Sequence, residues 1–294
     1  MIKIVTNYFV CFFLYLIIYL LKIIGKKNSI NFCAFIFVLV GRFTIYNRRA
    51  NNNLLYIWPK ISDRKRKTIC LKMWKNLGKN FGEFIYLHRG DPLDSDNVKI
   101  HRLKETKSLV DKNIKLKKGV IFFSAHFGNW ELGPYIINKL NVDLMGIYRK
   151  SNNTCIDRLI QRYRNKNTNY VPKGDLGAKK SFLWLRKGKS LALLMDQKLN
   201  EGMSVNFLGK PANTATAIAE LALRMNLDII PIKIIRNKND SHEIYFLKKI
   251  KHPNDTLSHE KKVKNILIQI NTHLSEWITK DPEQWLWLHR RWKK

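Results

Sequence analysis

The chain has 294 residues, enough for one large domain or two small ones with an ample hydrophobic core. Lys and Arg number 54 against 22 Asp and Glu, a net charge of +32 that calls for an anionic partner: a membrane surface, an acidic protein or a nucleic acid. The basic residues are scattered, with no pure Lys/Arg tail, no zinc-ligand spacing and no RNA-binding signature, so nucleic acid is set aside. Cys11, Cys33, Cys70 and Cys155 lie far apart and form no Cys-X-X-Cys; they read as buried free thiols of a reducing compartment.

Tyr8 to Leu21 carries no charge, and Lys22-Ile23-Ile24 extends the run. As a helix it spans about 25 Å, slightly under the roughly 30 Å hydrocarbon core of a bilayer. A secretory signal has the same outline, but no small-residue cleavage site precedes Lys26-Lys27. Residues 1–27 are therefore expected to be an uncleaved anchor and residues 28–294 the folded domain that it carries. Only Lys3 precedes the run, while Lys22, Lys26, Lys27 and Arg42 follow, which keeps the bulk of the chain cytoplasmic if the segment spans. A helix lying in the interface is the alternative.

Ile30 to Val40 reads as a second apolar helix, packed on the domain or on the membrane surface. Ser62 caps a long helix whose apolar positions Ile69, Met73, Leu77, Phe81 and Phe84 recur every three or four residues. Lys65, Lys72, Lys75 and Lys79 are expected on its solvated face, a membrane-contacting basic helix being the alternative. A polar stretch, Lys99 to Lys118, leads to a buried strand at Gly119 to Phe123. Further strands are expected at Val142–Tyr148, Asn169–Val171, Ser190–Met195, Ile229–Ile235 and Glu243–Ile250. Helices are expected at 154–164, 176–187, 215–225 and 258–279, and a long loop at 198–211. The alternation predicts an α/β fold with a mostly parallel central sheet flanked by helices.

Strand ends at His126, Arg149 and Asp196 are where open α/β sheets bind ligands. Glu131 follows His126 by five residues, so the two side chains meet only if the chain bends near Gly128. A neutral imidazole steadied by a carboxylate can take a proton from a hydroxyl, half of a triad without an enzyme nucleophile. His126 is the expected base and Glu131 its orienter. Arg149 and nearby backbone amides are candidates to stabilise an oxyanion. Asn129 is open to two readings, a substrate donor or a helix cap. Asp196 is either a substrate-binding group or a structural turn residue. Lys173, Arg224 and Arg290 either pair with phosphates or are solvated charges. Trp130, Trp285, Trp287 and Trp292 read as core or interface aromatics.

The string Ala125-His126-Phe127-Gly128-Asn129-Trp130-Glu131-Leu132-Gly133 resembles the late acyltransferases of lipid A synthesis, within the wider His-X4-Asp/Glu glycerolipid acyltransferases. Tyr148-Arg149, Asp196-Gln197, Phe207-Leu208-Gly209-Lys210-Pro211 and the C-terminal run Pro282 to Lys293 resemble further elements of that family in the right order. Lys198 departs from it, standing where many members carry an acidic or amide residue. The resemblance implies O-acylation of a lipid A precursor from an acyl carrier protein thioester, at the cytoplasmic face of the inner membrane. That chemistry requires no metal or nucleotide cofactor. Two rivals remain: a coenzyme A-dependent acyltransferase acting on phosphatidylinositol mannoside or another glycolipid, and a non-catalytic basic membrane protein.

Overall fold

The computed structural model describes residues 2–87, 97–164 and 166–292, with side chains from Asn7 onward. Lys293, and the side chain of Lys3, lie outside the described residues.

Four helices open the chain: α1 (Ile2–Ile23), α2 (Lys26–Gly41), α3 (Ile45–Ile57) and α4 (Asp63–Phe84). Ser62 caps α4 as expected, accepting a hydrogen bond from the Lys65 amide. α2 packs on α4 at very close range. A Cβ on Gly78 would meet the Cys33 carbonyl at 2.5 Å, and one on Gly82 would meet the Ile30 Cα at 2.7 Å. The glycines thus let the two backbones touch.

The polar stretch after α4 is ordered rather than irregular, forming β1 (Val98–His101) and α5 (Leu103–Lys115). There follow β2 (Ile121–Ser124), a 3₁₀ turn (Trp130–Leu132), α6 (Gly133–Asn138), β3 (Leu144–Tyr148), α7 (Thr154–Tyr163), β4 (Thr168–Pro172), α8 (Asp175–Arg186) and β5 (Ser190–Leu194). The chain closes with β6 (Met203–Phe207), β7 (Lys210–Thr214), α9 (Ala217–Met225), β8 (Ile229–Arg236), β9 (His242–Phe246), α10 (His259–Lys280) and a second 3₁₀ turn (Pro282–Gln284). The loop expected over residues 198–211 is instead largely an antiparallel β6–β7 hairpin, turning at Leu208-Gly209 with φ of 54° and 79°.

Seven strands form one sheet in the order β1-β9-β8-β2-β5-β3-β4. All neighbours are parallel except β8 and β9, so the expected α/β architecture with a mostly parallel sheet is found. β2 lies between β8 and β5, covered on both faces, which is why it reads as an unbroken apolar run. Ile121 and Phe123 face a core shared with α3, α4, α9 and α10. Val120 and Phe122 face a second core with α5 and α6. Each fully buried side chain of this kind stabilises the fold by about 1.5–3 kcal/mol.

Two expectations need correction. Lys79 is not on a solvated face: it is buried against the domain and paired with Asp240, a contact across the fold that the helix pattern does not show. Nor are all four cysteines free. Cys11 of α1 and Cys155 of α7 form a disulfide, because these helices, 144 residues apart in the chain, lie side by side with Cα atoms at 6.2 Å. Cys33 and Cys70 are free and buried as expected, and burial pushes both thiols up to about 11. Lys22 donates to the Tyr163 hydroxyl at 2.8 Å and Asn153 to the Asn7 carbonyl at 3.1 Å, so α1 is tied along its length to α7 and its approach. No single helix among the described residues is long and apolar enough to cross a membrane. α2 and α3, bent by 80°, pass that test only together, by length and composition.

Candidate active site

β2, β5 and β3 run parallel, so the residues that follow them gather at one edge of the sheet. Ser124 pairs with Leu194 in the β2–β5 register, and two residues further on His126 stands beside Asp196. The His126 Nδ1 lies 2.9 Å from Asp196 Oδ1, and the His126 amide donates to Oδ2 at 3.0 Å. Trp285 Nε1 donates to the same Oδ2 at 2.8 Å. Asp196 is fully buried. Burial alone would raise its pKa, but His126, His289 and the Trp285 hydrogen bond together hold it well below the usual carboxylate range. An ionised Asp196 keeps the proton of a neutral His126 on Nδ1. That leaves Nε2 unprotonated, with the Gln197 side-chain amide 3.5 Å away, and able to accept a proton.

The expected orienter is thus corrected. Asp196, not Glu131, holds the imidazole, because β5 is the neighbour of β2 while Glu131 is carried away by the 3₁₀ turn. Glu131 takes a different partner, Arg164 at the end of α7, which donates through Nη2 at 3.1 Å and Nε at 3.3 Å. The Arg164 guanidinium also lies over the rings of Tyr170 (4.9 Å) and Tyr148 (5.4 Å). Burial by itself would lower the Arg164 pKa, and the Glu131 charge more than reverses that. Its Nη1 has no hydrogen-bond partner among the described residues.

Glu131 and Arg164 stand in the wall of a small cavity otherwise lined mainly by apolar side chains such as Phe122, Ile137, Ile147 and Ala192. Trp130, expected as a core or interface aromatic, lines this cavity and sets its ring edge-on to His126 at 5.1 Å. On another side His126 meets the His289 ring at 4.8 Å. Burial, with His126 next in weight, pushes His289 down to about 4, so it is neutral at pH 7.

The turn that carries His126 is clamped from below. Gly128 has φ +58°, and a Cβ there would meet the Ile234 carbonyl at 2.1 Å, so no other residue fits without distortion. Its carbonyl accepts from Asn80 at 2.6 Å and Asn76 at 3.2 Å, both on α4. Arg236, buried at the end of β8, donates to both asparagines and to Glu83. Burial would raise the Glu83 pKa, but the Arg236 contacts bring it below the ordinary value. Asn129 donates to Glu83 and accepts from the Glu131 amide at 3.3 Å, so its amide is spent within the protein as a cap. Periodicity hides this network, because its polar members sit on elements read as core.

The C-terminal string closes over the same turn. Gly128 donates to the Gln284 carbonyl at 3.0 Å, and Leu286 donates to the His126 carbonyl at 3.1 Å. Trp285 and Trp287 are fully buried, and Trp292 nearly so. Arg149 and Lys173 are exposed at the sheet edge and line none of the cavities described; Arg290 is exposed beside His289. Arg164 is the cavity-wall cation that the sequence reading did not single out, its one signal being a position at the C-terminal end of α7.

The family described as bacterial lipid A biosynthesis acyltransferase matches residues 3–294. A relative from Haemophilus influenzae, called lipid A biosynthesis acyltransferase, is 24% identical over 247 residues, covering 83% of this chain and 76% of its own. The chain belongs to the bacterial lipid A biosynthesis acyltransferases and is an acyltransferase enzyme.

Proposed function

We propose that the chain moves a fatty acyl group from an acyl carrier protein thioester to a hydroxyl of a lipid A precursor, with His126 as general base and Asp196 as its orienter. Nε2 of His126 takes the proton of the acceptor hydroxyl as its oxygen attacks the thioester carbon. The tetrahedral oxyanion then collapses, the C–S bond breaks, and the proton passes to the departing thiolate. Arg164, held by Glu131 with one Nη unpaired, is offered as the donor to that oxyanion, in the role first given to Arg149. The acyl chain lies in the apolar cavity behind them.

The observation that carries this reading is the His126 Nδ1–Asp196 contact of 2.9 Å beside that cavity. The net charge of +32 supports an acidic donor protein and an anionic lipid surface as partners. α1 and α2 carry exposed aromatics, among them Phe9, Phe12, Phe32 and Phe35. Exposed apolar side chains in this number support docking in the interface of the inner membrane, with residues 1–27 lying on the lipid rather than crossing it.

Purified protein supplied with acyl carrier protein thioesters and one lipid A precursor, read by mass, tests the reaction. His126→Ala is expected to lose at least about a hundredfold in kcat. Full activity in that variant would end the proposal.

A further inference from the structure

Beyond His289 the surface changes character. Arg48 and Arg49 of α3, Lys198 two residues after Asp196, and Arg290 line one groove with Asn53 and Trp292. None of its lining residues carries a negative charge. Arg48, Lys198 and Arg290 make no ion pair among the described residues. The Trp292 indole N–H, buried in the groove wall, finds no acceptor there either. Four cations converging without a counter-charge repel one another, a cost that a bound polyanion removes.

The wall of this groove is built on the segment that backs the catalytic pair. Asn53 donates to the Trp287 carbonyl at 2.8 Å and to the His289 carbonyl at 2.9 Å. Arg49 donates to the Leu288 carbonyl at 3.2 Å. A group fixed here is therefore fixed relative to His126.

We propose that the groove binds a phosphate monoester on the headgroup of the acyl acceptor, an assignment that rests on the acyl transfer proposed above. A monoester carries about −1.5 to −2 charges at pH 7 and three acceptor oxygens, which suits paired guanidiniums and a lysine. A phosphodiester such as that of a carrier protein's prosthetic arm has a single charge and calls for fewer cations. Lys198 is a specificity-determining residue in this scheme, placed by β5 next to the base's orienter.

The test separates binding from turnover. Titration of the full chain in detergent with glucosamine 1-phosphate, followed by ³¹P line broadening, is expected to saturate. Lys198→Gln and Arg290→Gln are each expected to weaken it about tenfold, while Lys112→Gln on the remote α5 leaves it unchanged. In the transfer assay, removing phosphate from the acceptor raises its KM in the wild type, and this penalty shrinks toward one in the Lys198→Gln/Arg290→Gln double variant. Absence of saturable binding, or an equal loss with Lys112→Gln, overturns the proposal. A double variant that raises only the thioester KM also overturns it and gives the groove to the donor. Saturable, variant-sensitive binding in a protein that transfers no acyl chain would sink the acyl-transfer reading and leave the phosphate site standing.

Discussion

Asp196 grips His126 twice, at the ring through Oδ1 and at the backbone amide through Oδ2. The first contact sets the tautomer, and the second sets where the ring stands. Asp196→Asn keeps the size and loses the charge, so the imidazolium formed during transfer is no longer stabilised. A fall in kcat of about a hundredfold or more is expected, with little change in KM. Near-ultraviolet circular dichroism verifies that the fold survives, and a loss below tenfold would return the orienter's role to another group.

Glu131 and Arg164 predict a different signature. Both are largely buried, and removal of either leaves the other charge without its partner. Glu131→Gln and Arg164→Gln should each lower the unfolding free energy by about 2–3 kcal/mol, reduced by residual solvent access. The double variant should recover part of that loss, giving a coupling of at least about 1 kcal/mol in a thermodynamic cycle. Additive losses would mean that the pair does not act as a unit.

The apolar cavity yields a prediction on chain length. Ala192 sits mid-strand in β5 and lines the cavity. Ala192→Leu fills part of that space, so long acyl donors should lose more than short ones. Each excluded methylene is worth about 0.8 kcal/mol, and a shift of about tenfold in the kcat/KM ratio of fourteen- to ten-carbon thioesters is expected. An unchanged ratio would place the chain elsewhere.

How far the sequence disclosed this arrangement depends on chain distance. β2, β5 and β8 announced themselves as apolar runs, and His126 and Asp196 as strand ends. That the two strands are neighbours could not be read, because β3 and β4 intervene in the chain and β5 inserts beside β2. So Glu131, near in sequence, was matched to His126 in place of Asp196, near in space. β1 was lost because Val98-Lys99-Ile100-His101 alternates polar and apolar residues within a charged stretch. The β6–β7 hairpin was lost because its turn is Leu208-Gly209, without the Asn-Gly or Asp-Gly that flags such turns. The C-terminal string was recognised as a pattern, but its purpose, a tryptophan donating to Asp196, needed coordinates.

His242 supplies the pH prediction. It lies buried near Glu83 at 3.6 Å, and burial, only partly opposed by Glu83, pushes it down to about 4 from an ordinary 6.5. In the unfolded chain it takes up a proton near pH 6.5, while the folded protein resists until about pH 4. Between those values the unfolded state binds more protons, so stability falls as the pH drops, and above pH 6.5 this contribution is constant. Urea unfolding at pH 7 and pH 5 should show the wild type less stable at the lower pH by on the order of 1–2 kcal/mol from this residue. His242→Gln should make the difference smaller, since glutamine does not titrate. His289, also lowered to about 4, adds a second slope of the same sign that survives in the variant. An identical pH dependence in wild type and His242→Gln would show that the His242 imidazole is charged or solvated in the native protein.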